Sequence, residues 1–136
     1  MGKEIILAAV GATGFGLLFG VQRKRLWIIF VSSGFAWYGY LILSKLTGKE
    51  NLALFLITVF VMLGAKLAGL FVEESVVLFT TPILIPFIPG ATLYYVMRDL
   101  VSQNSSFWDN LELLAGQVSA MVFGIVCVLG IHIRRR

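Results

Sequence analysis

Five long apolar runs, separated by short polar breaks, take up most of the chain. They cover residues 5–21, 26–43, 52–71, 76–97 and 111–133. Each approaches the roughly 20 apolar residues that a helix needs to cross a bilayer, with a range of about 17–25. The breaks at 22–25, 44–51 and 72–75 are short. The break at 98–110 is longer and contains Ser102-Gln103-Asn104-Ser105-Ser106, with room for a short interfacial helix. None of the runs alternates apolar and polar residues as a membrane strand does, so helices are the spanning solution. The pattern predicts an all-α integral membrane protein, a single polytopic domain over 1–136 with five transmembrane helices.

Composition agrees and narrows the function. Of 136 residues, 59% are hydrophobic and 13% charged. A soluble domain carries about 25% charged residues. Half of that cannot cover a globular surface in water, which excludes a soluble enzyme. The net charge of +4 sits in short clusters between apolar runs, so there is no basic face for nucleic acid. Cys127 is the sole cysteine and His132 the sole histidine, too few for a disulfide, a zinc site or a Cys/His pair. No nucleophile–base constellation is visible, so neither an enzyme nor a cofactor is expected. Ile6 stands where N-myristoylation needs Ser or Thr.

Five crossings put the termini on opposite sides. Arg23, Lys24, Arg25, Arg134, Arg135 and Arg136 fall on one side, and Lys3, Lys45, Lys49 and Arg98 on the other. The larger basic set marks the cytoplasm, which predicts the N-terminus out and the C-terminus in. Trp27 anchors an inner boundary, and Tyr38, Tyr40, Tyr94, Tyr95 and Trp108 anchor outer ones.

Small residues mark close helix approaches in lipid. The first run has Ala8, Ala12, Gly16 and Gly20 at every fourth position. The third has Gly64 with Ala68 and Ala65 with Gly69, and the fifth has Gly116, Ala120 and Gly124. These faces serve packing within the chain or contact between subunits.

The fourth run concentrates the chemistry. All three prolines, Pro82, Pro86 and Pro89, lie in it, and Gly90 follows the last. Each proline removes a backbone donor and clashes with the preceding turn, so the fourth helix is predicted to be broken. The carbonyls of Leu78, Pro82 and Ile85 lose their helical donors. Free backbone at membrane depth is tolerated only inside protein or beside a wet cavity. A second half-helix can start at Gly90, with the Gly90, Ala91 and Thr92 amides presented to an anion such as a carboxylate. Interrupted helices of this kind hold substrates in secondary transporters. Thr80, Thr81 and Thr92 place hydroxyls nearby.

Other polar positions have two readings each. Ser32 and Ser33 either back-bond to their own helix or face a solute. Gln117 either bonds another helix or touches substrate. Lys66 either snorkels and pairs with Glu73 or Glu74, or lines the inner mouth of a carboxylate path. Tyr94 belongs to the interfacial belt or bonds a solute. No carboxylate falls at mid-depth of any run, so ion coupling would need an acid from a partner.

Pro86-Phe87-Ile88-Pro89-Gly90, followed by Tyr94-Tyr95, resembles the Pro-x-x-Pro-Gly…Tyr core of the threonine/serine exporter family, in its small five-helix subunit type. Phe19-Gly20-Val21, the basic turn Arg23-Lys24-Arg25, and Gly34 with Trp37-Tyr38 are similar to that family's opening. The resemblance implies export of small hydroxy amino acids or related carboxylates by two homologous five-helix halves. It implies a larger partner with a cytoplasmic N-terminal domain, and a place in the bacterial plasma membrane. A half that begins outside agrees with the orientation drawn from charge.

These readings combine into a subunit of an exporter of serine, threonine or a related carboxylate, working by alternating access. The expected substrate-binding set is Thr80, Thr81, Pro82, Pro86, Pro89, Gly90, Ala91, Thr92, Tyr94, Ser32, Ser33 and Gln117, with Lys66 as a path-lining cation. The rival reading is a small membrane scaffold that holds a complex together without moving solute.

Overall fold

The structure, a computed structural model, describes residues 1–68 and 76–131. Among them there are six α-helices and no strand. They are α1 (Gly2–Leu18), α2 (Leu26–Thr47), α3 (Glu50–Ala68), α4 (Val76–Leu84), α5 (Gly90–Val101) and α6 (Phe107–Gly130). Single 3-10 turns at Arg23–Arg25 and Ile85–Phe87 lead into α2 and out of α4.

Backbone chemistry at the ends explains where the helices depart from the apolar runs. The first run was expected to stay helical to Val21, but α1 stops at Leu18. Gly20 takes a left-handed φ of 80°. Its N–H donates to the Leu17 carbonyl, and the Val21 N–H donates to the Gly16 carbonyl. This paired reversal uses glycine because a side chain there would strain the backbone. Gly20 therefore drops out of the small-residue stripe. Helix α2 runs past residue 43 to Thr47, where Gly48 ends it with a φ of 62°. Helices α3 and α6 begin earlier than the apolar pattern, at Glu50 and Phe107, because polar residues occupy their first turns. The 102–106 segment is a turn rather than an interfacial helix. The Asn104 side-chain oxygen accepts from the Ser106 N–H at 3.2 Å, and Gln103 adopts a φ of 51°. The end of the third run and His132 with the C-terminal arginines lie outside the described residues.

Helices α1, α2, α3, α6 and α5 pack side by side in that order, and α4 lies against α1, α2 and α3. Directions follow from contacts at the ends. Lys45 Nζ lies 3.4 Å from the Met1 sulfur, and Gly16 faces Leu26 and Ile29, so α1 is antiparallel to α2 along its length. Gln117 reaches Glu50, and Lys66 reaches Val128, so α3 and α6 run parallel. The chain between those two helices therefore makes a net return, carried by α4 and α5.

Among the described residues, three helices are long and apolar enough to cross a membrane: α2 with its leading turn, α3 and α6. The pair α4–α5, bent by 53° at the break, adds a fourth if counted as one span. At about 1.5 Å per residue, the 17-residue α1 extends about 26 Å. Outward faces carry large apolar side chains such as Leu18, Phe35, Phe60, Leu129 and Trp108. In water these would form apolar patches far beyond what a monomer tolerates, while lipid accepts them.

The small-residue faces of α1 and α6 pack within the chain, whereas Gly64 and Ala68 on α3 are exposed and Gly69 lies outside the described residues. Ala8, Ala12 and Gly16 are buried in α1. A Cβ on Gly16 would meet the Ile29 Cδ1 at 2.7 Å. On α6, a Cβ on Gly124 would lie 3.0 Å from the Thr58 Cβ and 3.2 Å from the Phe55 carbonyl oxygen. Backbone cannot yield as a side-chain tip can. Gly124→Ala should therefore cost about 1–3 kcal/mol, as overpacking does. Gly64→Ala, with nothing within 4 Å of the added carbon, should be neutral. Thermal unfolding of the two purified variants in detergent checks this contrast.

Candidate functional site

The helix interruption between α4 and α5 is built residue by residue from its prolines. Pro82 sits inside α4 and is fully buried, without ending the helix. Pro86 falls in the 3-10 turn. The Ile88 N–H donates back to the Ile85 carbonyl at 3.0 Å. That carbonyl, expected to be free, is satisfied by tightening the turn. Ile88 is then extended. Pro89 has φ −74° and ψ 63°, and the Gly90 N–H donates to the Ile88 carbonyl at 2.7 Å. These values define an inverse γ-turn centred on Pro89. A proline suits its centre because the ring holds φ close to what the turn requires.

The γ-turn also decides which amides remain for an anion. The Gly90 N–H is used by Ile88, which leaves Ala91 and Thr92 in the open first turn of α5. Gly90 and Ala91 are exposed, and Thr92 is buried. The Leu93 N–H closes the first helical bond onto the Pro89 carbonyl at 3.0 Å.

The other expected site residues separate into groups. Thr80 is buried on α4, while Thr81 is exposed and donates its hydroxyl to the Val77 carbonyl at 2.8 Å. Ser33 is buried on α2 and bonds back to the Phe30 carbonyl at 3.2 Å, and Ser32 is partly exposed. Tyr94 is 64% exposed and stacks edge-on with Tyr95. Gln117 belongs elsewhere, donating its amide to Glu50 Oε2 at 3.3 Å on the α3–α6 seam. Lys66 donates to the Val128 carbonyl at 2.8 Å and to the Ile131 carbonyl, so its charge meets the C-terminal end of α6. That end carries the negative pole of the helix dipole. Its expected partners Glu73 and Glu74 lie outside the described residues.

Phe87, on the 3-10 turn, is buried against Trp37 and Tyr40 of α2, with ring centroids 5.3 and 5.8 Å away. This cluster ties the interruption to the second helix. Beyond the break the chain leaves α1–α3 and packs α5 on α6. The bend thus moves the segment from one group of helices to another.

Asp99 is the residue whose role was least visible beforehand. Read as an end-of-helix carboxylate, it is fully buried. Its Oδ1 accepts from Arg98 Nε at 2.9 Å and from Nη2 at 2.7 Å. Its Oδ2 accepts from the Asn110 amide at 2.7 Å. Its carbonyl also accepts the Asn104 N–H at 3.0 Å, so the α5–α6 connection is organised around one residue. Thr92, Val96 and Asp99 form the buried face of α5. Their i, i+4, i+7 spacing was the available signal. Thr58 was also missed; its hydroxyl is buried on α3 without a hydrogen-bond partner.

Apolar helices in a row, an interrupted pair and outward-facing apolar side chains define a multi-pass helical membrane protein. The threonine/serine exporter family, described as Threonine/Serine exporter, ThrE, matches residues 4–133, and the chain belongs to that family. No curated protein and no solved structure matches it. Membrane transport in the sense of amino-acid export follows from that membership, and the family is one of transporters rather than enzymes.

Replacing Asn110 with Leu removes the donor to a buried carboxylate oxygen, which then has no water to take its place. Asn110→Leu should lower the thermal unfolding midpoint by several degrees. The exposed Glu112→Gln, two residues on, should leave it unchanged.

Proposed function

We propose that this chain is one half of a two-part exporter of serine, threonine or a related small carboxylate. It acts with a homologous, larger membrane subunit that bears a cytoplasmic N-terminal domain. The chain crosses the bacterial plasma membrane five times, with α1 as the first span, α4–α5 as the fourth, the N-terminus outside and the C-terminus inside. The antiparallel run of α1 along α2 and the parallel relation of α3 and α6 support that count, because the latter requires one net crossing between them. Basic residues at the α1–α2 turn and at the C-terminus support the orientation.

The observation that carries the reading is the interruption at Pro89, in a chain that belongs to an exporter family. Substrate carboxylate binds the Ala91 and Thr92 amides at the positive end of α5. Thr80, Thr81, Pro82, Pro86, Pro89, Gly90 and Tyr94 belong to that site, together with Ser32 and Ser33 of α2. Rocking of this half against its partner exposes the site alternately to the two sides. The scaffold reading draws less support, since the Gly16 and Gly124 faces already pack within the chain.

Replacing Pro89 and Gly90 together by alanine allows helix to run through the break. Serine and threonine efflux from cells expressing the exporter should be abolished, with the chain still inserted at normal levels. Efflux at the unaltered rate would remove the interruption from the mechanism. A gentle pull-down from native membranes should recover a second five-span protein with a soluble N-terminal domain. Recovery of this chain alone in a defined oligomer would favour the scaffold.

A further inference from the structure

A groove of about 340 Å³ lies between the first half of α1 and the middle of α2, away from the α4–α5 break. Ala9 and Gly34 form its floor, where a Cβ on Gly34 would lie 3.9 Å from the Ala9 Cβ. Ile6 and Phe35 stand exposed as its two walls, and Val31 and Tyr38 line it towards opposite ends of α2. Apart from the Tyr38 hydroxyl, its lining is apolar. Val31, Gly34, Phe35 and Tyr38 share one face of α2 by their i, i+3, i+4, i+7 spacing.

The same face of α2, continued past Tyr38, leads to Lys45. Lys45 follows Val31 by 14 residues, which is about 21 Å of helix. Half of a bilayer with its headgroups is about 20–22 Å. The face therefore extends through one leaflet, apolar at depth and cationic at the surface. Lys3 stands one turn before Ile6 on the opposite wall. The two lysines belong to the same level, because the Lys45 ammonium lies 3.4 Å from the sulfur of Met1. A thioether is a weak acceptor. Among the described residues no carboxylate pairs with Lys3 or Lys45. Glu4 falls on the other side of α1 from the face of Ile5, Ile6 and Ala9.

We propose that this groove holds an acyl chain of an anionic phospholipid, with Lys3 and Lys45 on its phosphate. The chemistry at each depth identifies the occupant. An apolar trough without a polar group at its floor suits a hydrocarbon chain. Two ammonium groups at headgroup height suit a phosphate, to which they donate charge-assisted hydrogen bonds. A zwitterionic lipid brings its own ammonium to that height and gains less from the lysines. An apolar helix of another protein would leave both lysines unanswered. The site lies in the leaflet at the N-terminal end of α1 and is independent of the route taken by serine or threonine.

The test is native mass spectrometry of the purified chain in detergent, titrated with phosphatidylglycerol or with phosphatidylcholine of the same acyl chains. Phosphatidylglycerol should bind as a single equivalent, at least about tenfold tighter than phosphatidylcholine, the gain expected from charge-assisted hydrogen bonds. Lys3→Gln combined with Lys45→Gln should bring the two lipids to equal affinity. Lys24→Gln, at the other end of α2, should leave the preference unchanged. Glycerol phosphate, which carries the charge without the chains, should not displace the lipid. A photoreactive residue at position 35 should label phospholipid in native membranes. Equal binding of the two lipids by the unaltered chain overturns the proposal, as does a preference that survives the double lysine substitution. Displacement by glycerol phosphate, or labelling of a second protein chain from position 35, overturns it as well.

Discussion

Lipid offers no hydrogen bonds to a peptide group, and that constraint governs the segment from Ile85 to Gly90. A continuous helix would satisfy every N–H and carbonyl there, but Pro86 and Pro89 have no N–H to give. The chain resolves the loss locally. The Ile88 N–H returns to the Ile85 carbonyl, and the Gly90 N–H returns to the Ile88 carbonyl. The price is a 53° bend and a helix start, at Gly90, in the middle of the segment. Two open first-turn amides, the transfer from the α1–α3 group to α6, and the burial of Phe87 against Trp37 and Tyr40 all follow from that bend.

The bend is held at both ends by unlike forces. On the α4 side the hold is apolar: Pro82, Ile83, Leu84 and Phe87 are buried. On the α5 side it is polar, through Asp99 between Arg98 and Asn110. A buried carboxylate with donors on both oxygens fixes direction as well as distance, which apolar contact does not. The seam between α3 and α6 combines both means. Gly124 admits Thr58 at its centre, Lys66 meets the carbonyl end of α6, and Glu50 meets Gln117 near the other end. The apolar sides of α5 and α1 stay exposed.

Much of the fold was legible in hydropathy, because a bilayer demands long uninterrupted apolar runs and the demand is printed in the residues. Helices appeared where the runs were, and the prolines announced the interruption. The ends were less legible. Val21 is apolar yet non-helical, since Gly20 reverses the chain before it; Phe107 to Asn110 are helical although the apolar run starts after them. The candidate site was legible in its backbone half only. Pro89-Gly90 could be read from chain chemistry, whereas Gln117 was grouped with the break and instead faces Glu50, 67 residues away in sequence.

By itself, the sequence determined the solvent and the element type. Few charges, long apolar runs and the need to close every backbone hydrogen bond leave only membrane helices. It also marked the stretch in which the helix is interrupted, although Pro82 stays inside α4 and only the segment from Ile85 to Pro89 leaves the α-helix. Only the tertiary structure decided which amides at the break remain open, since the γ-turn consumes Gly90. Tertiary packing also made Asp99 a buried clasp, turned the small-residue faces of α1 and α6 inward, and brought Gln117 to Glu50. Those outcomes depend on which helices are neighbours and in which direction they run, and a local pattern of residues carries no such information.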